Sequence, residues 1–180
     1  MSDADVIRSS LADAGEFAAI FDRHFPAIFR FLRGRLGREL AEDLASETFV
    51  VAFRRRGSYD LSRDDARPWL YGIAVNLVRE HRRAEVRRLR AHARMLADAG
   101  VTSDSGDLLD SDVSAALLEL SHDERNLILL LSWADLTYEQ LADALGLPLG
   151  TVRSRVSRVR AKLRSRLVPI EAGVEAGGLT

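Results

Sequence analysis

The chain has 180 residues, 47% hydrophobic and 29% charged, enough for one globular domain or two small ones. Without cysteine it has neither disulfides nor thiolate metal sites. The polar, acidic start MSDADVIRSS is unlike a signal peptide and no apolar run is long enough for a bilayer, so a cytoplasmic protein without membrane insertion is expected. The formal net charge of −1 conceals segregation, with cations gathered at Arg79 to Arg94 and Arg153 to Arg166. Acids gather at the N-terminus, around Glu39 to Glu47, and from Asp104 to Asp112. A neutral total split in this way suggests basic surfaces for nucleic acid and acidic surfaces for another partner. Lys162 is the only lysine, and arginine's planar fork suits bidentate contacts to phosphate and guanine.

Strand-like alternation is absent and helical periodicity recurs, so an all-α fold is predicted. Phe17, Phe21, Phe25, Ile28 and Leu32, with Ile20 and Phe31 beside them, predict a first amphipathic helix with an aromatic core stripe, bent near Pro26 and ending by Gly34 and Gly37. A second helix is predicted from about Glu39 to Arg55, with Leu40, Leu44, Thr48, Val51 and Ala52 inward. Its Glu42, Asp43, Ser46 and Glu47 form either a solvated surface or an acidic docking face. The polar stretch from Gly57 to Arg67 is predicted to be a loop, and Pro68 fits the first turn of a third helix, PWLYGIAVNLVREHRR. Leu70, Ile73, Ala74, Leu77 and Val78 give its apolar face. Asn76 either faces solvent or the core, or presents an amide to a base. Trp69 and Tyr71 are either core anchors or stacking surfaces for unpaired bases. The helix continues into the basic run from Arg79, which includes Arg82 and Arg83.

From Ala97 to Asp110 the residues turn small, acidic and turn-forming, as in a flexible linker. Val113, Ala116, Leu117 and Leu120 predict one helix beyond it, and the capping box Ser121 to Glu124 opens another through Leu127, Leu130 and Leu131. Thr137 to Gln140 is a further capping box, opening a short helix that Gly146 ends and Pro148 follows. At about 100° per residue, the next helix sets Val152, Val156, Val159, Leu163 and Leu167 on its core face. Ser154, Ser157, Ala161 and Ser165 form a slim outer strip. Arg153, Arg160 and Arg164 flank it on one side, and Arg155, Arg158, Lys162 and Arg166 on the other. Small residues between rows of cations suit entry into a major groove, where the flanks reach phosphates. A basic solvated face is the alternative, but the capped helix and glycine turn ahead of it make a helix-turn-helix. The tail after Pro169 has no periodicity.

GTVRSRVSRVRAKLRSRL closely resembles the recognition helix of region four of bacterial sigma factors, particularly the extracytoplasmic-function group of the sigma-70 family. AEDLASETFVVAFRR resembles that family's core-polymerase-binding segment, and PWLYGIAVNLVREHRR its promoter-melting, minus-ten-reading segment. The resemblance runs from about Phe17 to Leu167. It implies two small helical domains joined by a flexible linker: a region-two domain over 10–94, a linker over 95–111, a region-four helix-turn-helix domain over 112–168 and a flexible tail over 169–180.

It further implies that Asp43, Leu44, Glu47 and Phe49 dock on core RNA polymerase, with Ser46 departing from the glutamine common in the family. Tyr59 and its loop stand where minus-ten bases are captured, and Asn76 matches the asparagine associated with a flipped minus-ten base. Trp69, Tyr71, Arg79, Arg82 and Arg83 join them on the minus-ten DNA. Thr151, Arg153, Ser154, Arg155, Ser157, Arg158 and Arg160 match the minus-thirty-five reading surface. The implied partners are core RNA polymerase, promoter DNA and an anti-sigma factor, with no cofactor. A stand-alone helix-turn-helix regulator is the alternative. An enzyme ranks below both, because His24, His81, His92 and His122 are scattered without ligand spacing.

Overall fold

The computed structural model describes residues 1–96, 120–134 and 136–167. Seven α-helices and two short 3-10 turns are found among these described residues: α1 Asp3–Ser10, α2 Ala18–Arg33, α3 Arg38–Arg55, α4 Arg67–Leu96, α5 His122–Trp133, α6 Tyr138–Leu145 and α7 Leu149–Leu167. No strand occurs among them, in keeping with the all-α expectation.

Helices α2, α3 and α4 form a bundle, and α1 lies against α2. The bundle core joins Ile20, Ile28, Phe31 and Leu32 of α2 to Leu70, Ala74, Val75 and Val78 of α4. Helix α3 supplies Ala41, Ala45 and Ala52, small enough to let the larger neighbours approach closely. Full burial of each large apolar side chain contributes about 1.5–3 kcal/mol of transfer free energy.

Three features differ from the sequence expectation. Helix α3 turns Ala41, Ala45, Thr48, Phe49 and Ala52 inward, whereas the expected Leu40, Leu44 and Val51 are only half-buried. The inward line of α2 runs through Ile20, His24, Ile28, Phe31 and Leu32, so Ile28 and Leu32 of the expected stripe are buried while Phe21 and Phe25 lie at its margin. Phe21 is 39% exposed because it stacks on Phe25 (ring centroids 4.7 Å apart) and covers the edge of Phe49 (5.1 Å) at the α2–α3 margin. The acidic N-terminus is the helix α1. Ser2 Oγ accepts from the Asp5 N–H (3.2 Å) and Asp5 Oδ2 from the Ser2 N–H (3.0 Å), while Ala4, Val6 and Ile7 are buried.

The second half folds as its capping boxes dictate. Ser121 and Glu124 close one box at the start of α5, and Thr137 and Gln140 close another at the start of α6. Gly146 ends α6 at φ 63°, the left-handed conformation in which a β-carbon is strained. Leu127, Leu130, Leu141, Val152, Val156 and Val159 form the core of α5, α6 and α7. The expected linker from Ala97, the helix through Val113, Ala116 and Leu117, and the tail from Pro169 lie outside the described residues; Leu120 is buried.

The halves touch, with α6 packing along α4. Arg63 pairs with Asp143, the Gln140 Nε2 amide donates to Asp65 Oδ2 (2.9 Å), and Arg79 pairs with Asp123 (2.8 Å).

Candidate nucleic-acid and polymerase interfaces

The first surface lies on α3. Asp43 and Glu47 are exposed, together with Ser46, and Leu44 is half-buried. Phe49, expected on the docking face, is only 4% exposed because the rings of Phe21 and Phe25 cover it. It supports the face from beneath. The exposed apolar positions beside the acids are instead Phe21 and Val50. The signal for Phe21 was an aromatic stripe wider than one core face requires, which leaves its margin uncovered.

The second surface is α4 with the loop before it. Asp60 folds that loop on itself, accepting from the Ser62 hydroxyl (2.7 Å), the Ser62 N–H (3.1 Å) and Arg63 Nε (3.2 Å). These bonds hold its carboxyl below the usual range. The Tyr59 hydroxyl donates to the Arg63 carbonyl (2.6 Å), and its ring lies 5.0 Å from that of Trp69. Burial, followed by the negative charge of Asp3 and Asp65, pushes the Tyr59 hydroxyl up to about 12, so it remains a donor. Tyr59 is buried and Trp69 half-buried, which leaves part of the indole as the accessible aromatic surface. Burial pushes Asp65 up, but the hydrogen bonds from Arg67 outweigh it and hold the carboxyl low.

Tyr71, expected among the residues on the minus-ten DNA, is instead part of the core. It is 1% exposed and meets Phe31 edge to face at 5.3 Å, so it offers no stacking face. Asn76 is exposed and lines a groove of about 260 Å³ together with Val51, Arg55, Leu77, Arg79 and Arg83. Arg55 was not singled out in the sequence, although it belongs to the run Arg54-Arg55-Arg56. Arg82 is half-buried on another side of α4, where burial and then the nearby Arg125 lower its pKa. The same cluster surrounds Arg35, whose Nε and Nη1 are buried without a hydrogen-bond partner. Burial and the guanidiniums of Arg82, Arg125 and Arg79 push Arg35 down to about 9.

The third surface is α7. Ser154, Ser157, Ala161 and Ser165 are exposed in the expected strip, opposite the buried Val152, Val156 and Val159. Arg153, Arg158 and Arg160 are exposed, and Thr151 and Arg155 are half-buried. Arg153 faces Glu139 at 3.6 Å in an exposed pair, an arrangement worth little in water. The opposite flank has acidic neighbours from another helix. Asp123 and Glu124 of α5 line a groove with Arg155 and Arg158, and Glu124 lies 3.6 Å from Lys162. The acids absent from α7 itself are therefore supplied through space.

Among the described residues, no group of three or more His, Cys, Asp or Glu could hold a metal ion. Nor is any described helix long and apolar enough to cross a membrane.

Comparison with known proteins matches both halves in order. Residues 20–88 match Sigma-70 region 2 and residues 111–163 match Sigma-70, region 4. The chain is 30% identical to the ECF RNA polymerase sigma factor BldN of Streptomyces coelicolor, over 93% of this chain and 66% of that protein. It is 31% identical to the RNA polymerase sigma factor NccH of Alcaligenes xylosoxydans xylosoxydans, over 89% of this chain and 91% of the relative. Among solved structures, the sigma factor RpoE of Bartonella quintana, crystallised with the anti-sigma factor NepR, superposes with a TM-score of 0.60 at 28% identity, covering 84% of this chain and 96% of that one. A helical bundle followed by a helix-turn-helix, matched segment by segment and alike over most of the length of NccH, places this chain in the extracytoplasmic-function group of the sigma-70 family, the sigma factors of bacterial RNA polymerase.

Proposed function

We propose that this alternative sigma factor divides promoter-specific initiation among its three surfaces. The α3 face with Asp43, Leu44 and Glu47 docks on core RNA polymerase, with Phe49 supporting it from inside. The Tyr59 loop, Trp69, Asn76 and the groove arginines Arg79 and Arg83 hold minus-ten bases out of the stack, which costs a few kcal/mol per base. The α7 strip from Thr151 to Arg160 reads the minus-thirty-five duplex through the major groove. Residues 10–94 and 112–168 act as two domains on one DNA, so that weak contacts combine through the linker. Sigma factors are not enzymes, and in this scheme the polymerase carries out the chemistry in the cytoplasm.

The observation that carries this assignment is the exposed strip of small residues between arginines on α7, directly after the left-handed cap at Gly146, in a chain whose first half matches region two. The complex of RpoE with NepR supports an anti-sigma partner for this chain as well.

Binding to core polymerase, followed by run-off transcription on a promoter library, tests the proposal. Stable association with selective initiation is expected. No association, together with a footprint by the protein alone, would make it a stand-alone regulator.

A further inference from the structure

Helix α1 lies ahead of residues 20–88, the part matched to region two, and its first residue makes an unusual set of bonds. Asp3 is 4% exposed. Its Oδ2 accepts from the Ala66 N–H (2.9 Å) and bonds to His24 Nε2 (2.8 Å), while Oδ1 accepts from Arg23. Its own N–H donates to the Asp64 carbonyl (3.0 Å). One residue therefore joins α1, α2 and the end of the loop before α4.

A buried carboxylate is costly unless its oxygens are fully bonded, and Asp3 meets that condition with the side chains of Arg23 and His24 and the Ala66 N–H. Core contact alone does not require it, because Ala4, Val6 and Ile7 supply the apolar packing of α1. Besides holding Arg23 and His24 of α2, Asp3 bonds the backbone at Asp64 and Ala66. Nearby, the Tyr59 hydroxyl holds the Arg63 carbonyl and the Asp65 carboxylate holds the Arg67 N–H (2.9 Å). The backbone is thus tied at residues 63, 64, 66 and 67, and Asp3 supplies the two backbone ties that come from outside the loop.

We infer that Asp3 is a positioning residue for promoter selection: by bracketing Asp64 and Ala66 it sets the shape of the loop that captures minus-ten bases. This rests on the proposed role of that loop.

The test uses the full chain with core polymerase on a library randomised at both promoter elements. Asp3→Asn keeps the shape but sets an amide N–H₂ against donors. It should flatten base preference at the minus-ten element by about fivefold, as for one lost hydrogen bond, with minus-thirty-five preference and core affinity unchanged. Asp3→Glu keeps the charge but moves the carboxylate out by one methylene, and should shift the same preference; it decides the matter if Asp3→Asn does not fold. Val6→Ala weakens the packing of α1 without touching the loop and should lower all promoters alike. If the Asp3 variants also lower all promoters alike, α1 is only a stability element and the inference is overturned. Asp60→Ala, inside the loop, tests the underlying role. If it leaves minus-ten preference unchanged, the loop does not read bases, and both that role and the inference fail. If it changes the preference while the Asp3 variants do not, the inference fails alone.

Discussion

Gly72 of α4 and Ala144 of α6 meet backbone to backbone: a β-carbon at position 72 would lie 2.8 Å from the Ala144 carbonyl oxygen. No flexible side chain lies between them to give way. Gly72→Ala improves helix propensity by about 1 kcal/mol, so α4 itself should not weaken. The expected outcome is separation of the two halves, read as a larger radius of gyration by X-ray scattering with no loss of helicity. Unchanged dimensions would show that the contact yields without opening.

Arg153 and Arg158 are both exposed beside the small-residue strip, and only weak contacts hold them, 3.6 Å to Glu139 and 3.4 Å from Nε to the Ser154 carbonyl. Alanine at either position should cost minus-thirty-five-dependent transcription about 1–3 kcal/mol for a lost bidentate base contact. Full promoter strength in both variants would show that the reading face lies elsewhere.

Glu124 offers a change of opposite sign. Its carboxylate, held low by the Ser121 N–H, stands beside Lys162 and lines the groove of Arg155 and Arg158. Glu124→Gln preserves the capping box and removes the charge. Binding to duplex DNA should tighten, and the slope of log K against log salt should steepen by about 1. A titration at several salt concentrations with the slope unaltered would mean that these cations do not reach phosphate.

Asn76 is exposed, so Asn76→Ala should change stability by no more than about 0.5 kcal/mol. Promoter opening, followed by permanganate reactivity of unpaired thymines, should fall more than core binding does. Equal loss of both would assign Asn76 a structural role.

Burial raises the Asp3 carboxyl, but the bonds from His24 and the Ala66 N–H outweigh it and bring it from 3.8 to about 2. A depressed acid stabilises the fold fully above its unfolded value and loses that contribution as pH falls through its folded value. About 2 kcal/mol should therefore be lost between roughly pH 4 and pH 2. Asp3→Asn should remove this part of the acid dependence in urea titrations. An identical pH profile for the variant would show that Asp3 does not carry it.

The capping boxes at Ser121 and Thr137, the left-handed stop at Gly146 and the buried valines of α7 were all legible, because each depends on residues within one or two helical turns. The box Ser2 to Asp5 has the same form and would have revealed α1, but it is not followed by a long apolar run. Sites whose value depends on a distant partner were less legible. The sequence set Phe49 among docking residues and Tyr71 among those on the minus-ten DNA, and the neighbours Phe21, Phe25 and Phe31 decided against both.

By itself, then, the sequence determined the helices from α2 onward, the helix-turn-helix and the family, because periodicity, caps and turn residues act locally. Only the tertiary structure decided which edge of each stripe is covered. It alone brought Asp3 to Ala66 across 63 positions, placed the acids of α5 beside the cations of α7, and set Gly72 against Ala144. A helical stripe is broad enough to bury along more than one line, and the packed neighbour selects among them.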